Sequence, residues 1–315
     1  MRSERLLVFL LVVMCAPIGL AQKNPFVGKW NITGRPPHDS YVYWLEVKEE
    51  GGRLSAMFLN RGGSPVPVEG IKLTGEELTF NLPGRSGRPL PEVQLKAAGE
   101  KITGSLKSGD QTIILAGARP PKWRDYNANA RHTFGKPVNL FDGKSLDAWT
   151  VQNREKPMDW RIEDGVMTNA THGNNLVSKE KFQDFKIQAE YKLEKGSNSG
   201  IYIRGRYELQ VLDDYGKEPE SHGHMAIYAR KAPDLNASKP AGEWQSMEAT
   251  VVGNRVTVLL NGKKVHDNAV IQGITGGALD VNETEPGPVM IQGDHERVWF
   301  RKVTVTPIVN SRRSS

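Results

Sequence analysis

Short runs of alternating apolar and polar residues, each closed by a turn signal, recur along most of this chain and restrict it to strands. Tyr41–Val47, Leu54–Leu59, Glu77–Leu82, Val93–Lys96 and Thr112–Leu115 follow this two-residue period in the first third. Glu50-Gly51-Gly52 and Ser108-Gly109-Asp110 punctuate them. Apolar runs with a 3.6-residue period are scarce, whereas Gly (32) and Pro (19) are plentiful, which again favours strands over helices. The pattern predicts an all-β chain. Residues 22–118 read as a small antiparallel β-barrel or sandwich, and residues 119–136 as a Pro-containing linker with room for one short helix at 123–130. Residues 137–308 hold a second set of strands, including Phe185–Leu193, Ser199–Arg204, Arg206–Leu212, Met247–Val252, Arg255–Leu260, Val289–Gln292 and Val298–Thr306. Gly253-Asn254 and Asn261-Gly262 suit hairpin turns because both residue types tolerate positive φ. Two antiparallel sheets packed as a jelly-roll sandwich are the natural architecture.

The N-terminal segment reads as an export signal. Arg2 and Arg5 give a basic start, Leu6 to Met14 an apolar run, and Gly19-Leu20-Ala21 a small-residue cleavage site before Gln22. The apolar run is shorter than the roughly 20 residues a membrane-spanning helix needs. Residues 1–21 are therefore read as a signal peptide, and the mature protein as secreted or periplasmic without stable membrane insertion. Cleavage there removes Cys15, the only cysteine, so thiolate metal sites and cysteine nucleophiles drop out. Of the net charge of +6, the signal (Arg2, Arg5, Glu4) carries one and the basic, disordered-looking tail at 309–315 (Arg312, Arg313) two, leaving about +3 for the body. No basic stripe interleaved with aromatics is present, which argues against nucleic acid as a partner.

Phe26-Val27-Gly28-Lys29-Trp30 resembles the Gly-x-Trp opening of lipocalin-type barrels, although an aromatic plug closing any small barrel reads the same way. No chemistry is visible in that module. In the second module, Tyr202 and Arg204 alternate with Ile201 and Ile203, and Arg206, Glu208 and Gln210 alternate with Tyr207, Leu209 and Val211. One face of a sandwich sheet is buried, so these polar residues line either solvent or a cleft. Planar polar side chains beside an aromatic ring suit a sugar, whose hydroxyls need donors and acceptors and whose C–H faces stack on rings. Asp213 follows at the strand end. His222-Gly223-His224 has the spacing of a metal-binding pair, without a third ligand marked in the sequence. Gln292-Gly293-Asp294-His295 sits between two late strands, either as ordinary loop polarity or as part of a catalytic dyad. No Gly-x-Ser-x-Gly elbow, phosphate-binding loop or His-Glu-x-x-His motif occurs.

Five blocks, in order, resemble the 3-keto-disaccharide hydrolase domain family, long catalogued as a domain of unknown function. They are Val138-Asn139-Leu140-Phe141-Asp142-Gly143 with Leu146 and Trp149; Asn198-Ser199-Gly200-Ile201-Tyr202-Ile203-Arg204-Gly205; Tyr207 to Asp213; Pro240-Ala241-Gly242-Glu243-Trp244-Gln245; and Gly287-Pro288-Val289 through Gln292, Asp294 and His295. The resemblance implies a concanavalin-A-like jelly roll acting on oligosaccharides or glycosides oxidised at C3. Glu296 after His295 and the His222–Met225 stretch depart from the family pattern. A C3 ketone acidifies the C2 hydrogen, so the chemistry needs a base, a donor for the enolate oxygen and an acid for the leaving group. His295 or Glu208 is expected as base or acid, Arg204 as oxyanion stabiliser and Asp213 as orienter or second carboxylate. Asn198, Gln210, His224, Gln292 and Asp294 are expected to bind hydroxyls, and Tyr202 or Trp244 to stack on the ring. No firm cofactor is implied, and a divalent ion replacing Arg204 stays open. A non-catalytic carbohydrate-binding module and a paired-carboxylate glycosidase are the alternatives.

Overall fold

The computed structural model describes residues 24–84 and 90–309; the segment read as a signal peptide and residues 310–315 of the basic tail lie outside them. All regular elements among the described residues are strands, gathered into three sheets. The first is a nine-stranded antiparallel sheet. Its order starts at Val66–Pro67, passes through Arg53–Asn60, Val42–Glu50, Gly28–Gly34, Gln111–Ala118, Lys101–Ser108, Glu92–Ala98 and Glu77–Asn81, and ends at Glu69–Thr74. The two edge strands are consecutive in the chain, separated only by Val68, so the sheet has curled until its edges nearly meet. The alternation in Glu77–Asn81 and Glu92–Ala98 puts Leu78, Phe80, Val93 and Leu95 inside with Trp30, Tyr43 and Phe58. Trp30 closes this core. Its indole N–H donates to the Phe26 carbonyl at 2.8 Å, and the Arg119 guanidinium lies 3.5 Å over its ring.

Two further sheets form the sandwich. One runs Arg161–Glu163, Val166–Thr168, Val298–Pro307, Phe185–Leu193, Gln245–Val252, Arg255–Leu260 and Lys263–Val270, with Val138–Phe141 also pairing on Val298–Pro307. The other runs Trp149–Val151, Leu176–Phe182, Gly287–Ile291, Asn198–Ile203 and Tyr207–Leu212. Ile187, Ala189 and Tyr191 of the first sheet and Ile201, Leu209 and Val211 of the second share one apolar core. The jelly-roll reading therefore holds, built by the expected period-2 burial. The segment 123–130 is irregular, with a turn at its end, instead of the short helix allowed by the sequence. Two prolines precede it, and Tyr126 is spent packing against the Gly253 turn.

The barrel and the sandwich share packing. Val42, Trp44 and Leu59 of the barrel belong to the sandwich core. Buried Asn31 donates to Glu283 Oε1 at 2.6 Å, and the other Glu283 oxygen accepts from the Tyr207 hydroxyl at 2.7 Å. Arg230 lies 4.0 Å from the Trp44 ring centroid and donates to the Ile274 carbonyl.

Candidate functional site

The hairpin Asn198–Leu212 places the site. Its register sets Tyr202 opposite Glu208 and Gly200 opposite Gln210, so these side chains share the face turned away from the apolar core. That face is roofed by loops. Edge strand Tyr207–Leu212 is covered by the 225–228 segment: Met225 N–H donates to the Gln210 carbonyl (2.7 Å), Gln210 N–H to Ala226 (3.0 Å) and Tyr228 N–H to Glu208 (3.0 Å). Covering the edge satisfies its backbone and buries the polar side chains behind it. What remains open is a hollow of about 270 Å³. Its lining includes Asn198, Tyr202, Glu208 and Gln210 of the hairpin, Gln292, Asp294 and His295 of a late loop, and Tyr228, Gly276 and Gly277.

Glu208 is 4% exposed. Its carboxylate lies over Gly200, where a methyl group would collide with Oε1 and Cδ. Burial pushes the carboxyl up to about 8, against the opposing pull of the Tyr202 hydrogen bond and of His295. At neutral pH the group therefore carries a proton. The neighbouring geometry suits that state. Tyr202 Oη is 2.9 Å from Glu208 Oε2 and 2.8 Å from the Gly276 carbonyl, and it has one proton to give. With Glu208 protonated, the phenol O–H can turn to the Gly276 carbonyl while the carboxyl keeps its own proton.

Across the hollow, His295 Nδ1 and Asp294 Oδ1 are 2.9 Å apart. This hydrogen bond raises the imidazole pKa above its ordinary value, with partial burial opposing it. It also leaves Nε2 as the nitrogen not engaged by Asp294. The loop is fixed by Asn175, whose Oδ1 accepts from Gly293 N–H (2.7 Å) and Asp294 N–H (3.2 Å). Gly293 is required there, because a methyl group would strike the Asn174 carbonyl and the Trp160 ring. The amides of the hollow are polarised in a useful way. Gln210 Oε1 accepts from Val211 N–H at 2.9 Å, so its NH₂ group is the part left for a ligand. Asn198 Oδ1 and Gln292 Oε1 are buried and accept nothing from the protein. Buried acceptors without donors are costly, by about 1–3 kcal/mol each.

Four expected site residues lie elsewhere. The strand ends at Ile203, and Arg204 and Gly205 both take left-handed φ values (54° and 65°), which takes Arg204 out of the strand alternation. Its fully buried guanidinium instead donates to the Gly253 carbonyl and faces the rings of Tyr207 and Trp123 at 5.2 and 5.9 Å. It is not an oxyanion donor for this hollow. Asp213 accepts from Gly196 N–H at 2.8 Å and holds that loop. His224 is buried against Tyr191, with its ring 2.6 Å from the phenol oxygen and 2.5 Å from the Leu212 carbonyl, and burial lowers its pKa. Trp244 sits beside the opposite sheet, between Lys192 (5.4 Å) and Arg301 (4.5 Å). The two histidines of the metal-like pair diverge, since His222 is at the surface with Nε2 2.8 Å from Ser64 Oγ. Among the described residues, no three His, Cys, Asp or Glu side chains gather as a metal site.

Sequence reasoning missed Gln152, Asn175, Tyr228 and the glycine pairs Gly62-Gly63 and Gly276-Gly277, all lining the hollow. Only Gly200, inside a matched block, carried a local signal: a glycine within a strand marks a place where something approaches the backbone closely.

Residues 136–306 match the family model described as a 3-keto-alpha-glucoside-1,2-lyase-like domain. A 3-keto-disaccharide hydrolase from Bacteroides thetaiotaomicron is 33% identical over 151 residues, covering 36% of this chain and 52% of that protein. The chain thus spans about half the length of this curated relative. Two solved chains from Parabacteroides distasonis ATCC 8503, provisionally described as glycosyl hydrolases, are similar as well. One is 26% identical with a TM-score of 0.47, covering 59% of this chain and 93% of that one. The other is 25% identical with a TM-score of 0.45, covering 55% and 100%.

Proposed function

This chain belongs to the 3-keto-alpha-glucoside-1,2-lyase-like domain family, and on that premise we propose that it cleaves 3-keto-disaccharides or 3-keto-glucosides. The observation that carries the reading is one hollow that faces a protonated buried carboxyl, Glu208, toward an Asp294-oriented imidazole, His295, with unmet amide acceptors beside them. A carboxyl that holds a proton to give and an imidazole that can take one up are the two groups acid–base catalysis requires.

In this mechanism His295 Nε2 removes the proton at C2, whose acidity comes from the adjacent ketone. The C–H electron pair forms the enolate, with its charge on the C3 oxygen, and the Gln210 NH₂ group is the donor available to it. Collapse of the enolate expels the C1 substituent, and Glu208 transfers its proton to the departing oxygen. Water then adds at C1 while C2 regains a proton, returning His295 and Glu208 to their starting states and completing a net hydrolysis. Asn198 and Gln292 accept from sugar hydroxyls. Asp294 positions His295, and Tyr202 positions Glu208. The apolar start of the chain extends the proposal to an exported setting, where the mature protein would begin at Gln22.

The test is one disaccharide offered in native and 3-keto forms to the purified protein. Cleavage of the 3-keto form alone is the expected result. Cleavage of both would favour a paired-carboxylate glycosidase, and cleavage of neither a carbohydrate-binding module; either outcome overturns the proposal.

A further inference from the structure

The hollow is not built by the sandwich alone. Gly62 and Gly63, in the barrel loop that follows strand Arg53–Asn60, line it together with Glu208 and Tyr202. This loop lies far outside the 136–306 stretch that matches the family model. It is also held in place. Gly277 N–H donates to the Arg61 carbonyl at 2.9 Å, and Ser64 Oγ lies 2.8 Å from His222 Nε2. The backbone of Gly63 packs against Gly276 so closely that a methyl group on Gly276 would collide with it. Arg61 lies 4.1 Å over the Tyr41 ring, which ties the loop back to the barrel.

We propose that the Arg61–Ser64 loop is the wall of the leaving-group subsite, so that the barrel selects which sugar or aglycone can be attached at C1. This rests on the acid role given to Glu208. The proton donor must stand beside the departing oxygen, and the loop lines the same hollow as Glu208. The chain of contacts is short: Glu208 meets Tyr202, Tyr202 donates to the Gly276 carbonyl, and Gly276 packs on Gly63. The group leaving from C1 therefore departs toward Gly62 and Gly63. Two glycines in succession keep this wall thin. A Cβ at either position would meet nothing within 4 Å, so no other residue crowds this stretch of backbone. At about 270 Å³ the hollow is slightly smaller than small-molecule sites, which start at about 300 Å³, so a second ring attached at C1 extends to its rim.

The substrate class that follows is a 3-keto-glycoside carrying a second ring at C1, seated against a bare backbone wall. The fixed position of the loop supports selection by shape. The barrel contributes Val42, Trp44 and Leu59 to the sandwich core, so the wall is anchored by buried packing on both sides.

The experiment compares Gly62→Phe with the unaltered full chain. Gly62 does not have a left-handed φ, and an added Cβ there meets nothing within 4 Å, so Phe is compatible with the fold; Lys107→Phe, at an exposed barrel position that does not line the hollow, serves as the control. Both kcat/KM and the Kd from calorimetry are measured for the 3-keto form of a disaccharide and of the corresponding methyl glycoside. The expected result is a fall of about tenfold or more in the ratio of disaccharide to methyl glycoside, in kcat/KM and in affinity, for Gly62→Phe, with Lys107→Phe close to the unaltered protein. An unchanged ratio in both readouts overturns the wall. If the unaltered protein binds both compounds without cleaving either, the ratio of affinities still decides the wall while the cleavage reading fails. Absence of binding to both compounds overturns the two together.

Discussion

The barrel and the sandwich use the same strands for opposite purposes. Inside the barrel the packed side chains are Trp30, Phe58, Phe80, Leu95 and their apolar neighbours. Its Tyr43 hydroxyl has no partner, and burial pushes that phenol up to about 12. The one strongly buried polar residue among the described residues of this module, Asn31, points out of it to Glu283. The sandwich buries Glu208, Gln210, Arg204, Arg206, Asp214 and His224. Its Tyr202 differs from Tyr43 in being wired between Glu208 and the Gly276 carbonyl. Burying polar groups costs stability unless each is paired, so the pairing pattern separates structural groups from functional ones. Arg206 with Asp280 and His224 with Tyr191 are satisfied pairs that do not line the hollow. Around the hollow the unmet acceptors of Asn198 and Gln292 flank a carboxyl that keeps its proton. Arg204 warns against using burial alone, since its Nε and Nη1 are also unpartnered although it faces Trp123 and Tyr207, away from the hollow.

Substitutions sharpen this contrast. His295→Ala or Glu208→Ala should lower kcat/KM on a 3-keto-disaccharide by about 10²–10⁴-fold, with an unfolding midpoint close to the unaltered protein's. Unchanged turnover in both variants would remove the assignment. In the barrel the effect should move to stability: Phe58→Ala, truncating a fully buried ring, should cost about 3–5 kcal/mol in denaturant unfolding. An undisturbed unfolding curve would show that the barrel core is not cooperative with the rest. Gly200→Ala should be intermediate, because its methyl group meets the far end of the Glu208 side chain and not backbone. A fall in kcat of about tenfold or more, with the fold retained, is expected from the displaced acid. The smallest effect belongs to Gln292→Ala, which should raise KM by about three- to tenfold through one lost hydroxyl contact. A change in kcat with constant KM would give Gln292 a different part in the reaction.

The period-2 pattern made the all-β class readable, because burial on one sheet face leaves the same trace in every strand. It also put Glu208 and Gln210 on one face before any coordinates. It failed at Arg204, where a hairpin turn with two successive left-handed residues ends the alternation. The fate of His224 was set by Tyr191, 33 residues earlier, a contact that no local pattern carries. Trp244 is flanked by two cations, one of them Arg301, that reach it only through sheet pairing. Gly62 and Gly63 were invisible for the same reason. Their part in the hollow arises from docking of one module on another, and their own segment reads as an ordinary turn.

The pH dependence of kcat/KM on a 3-keto-disaccharide tests the central claim most directly, since it reports the free protein's essential acid and base. A base with a raised imidazole pKa and an acid held at about 8 give a bell: activity rises as His295 loses its proton and falls as Glu208 loses its own through about pH 8. The two groups interact, so the limbs belong to the pair. A profile that kept climbing well beyond pH 8 would show that no proton on Glu208 is needed, and would contradict the account.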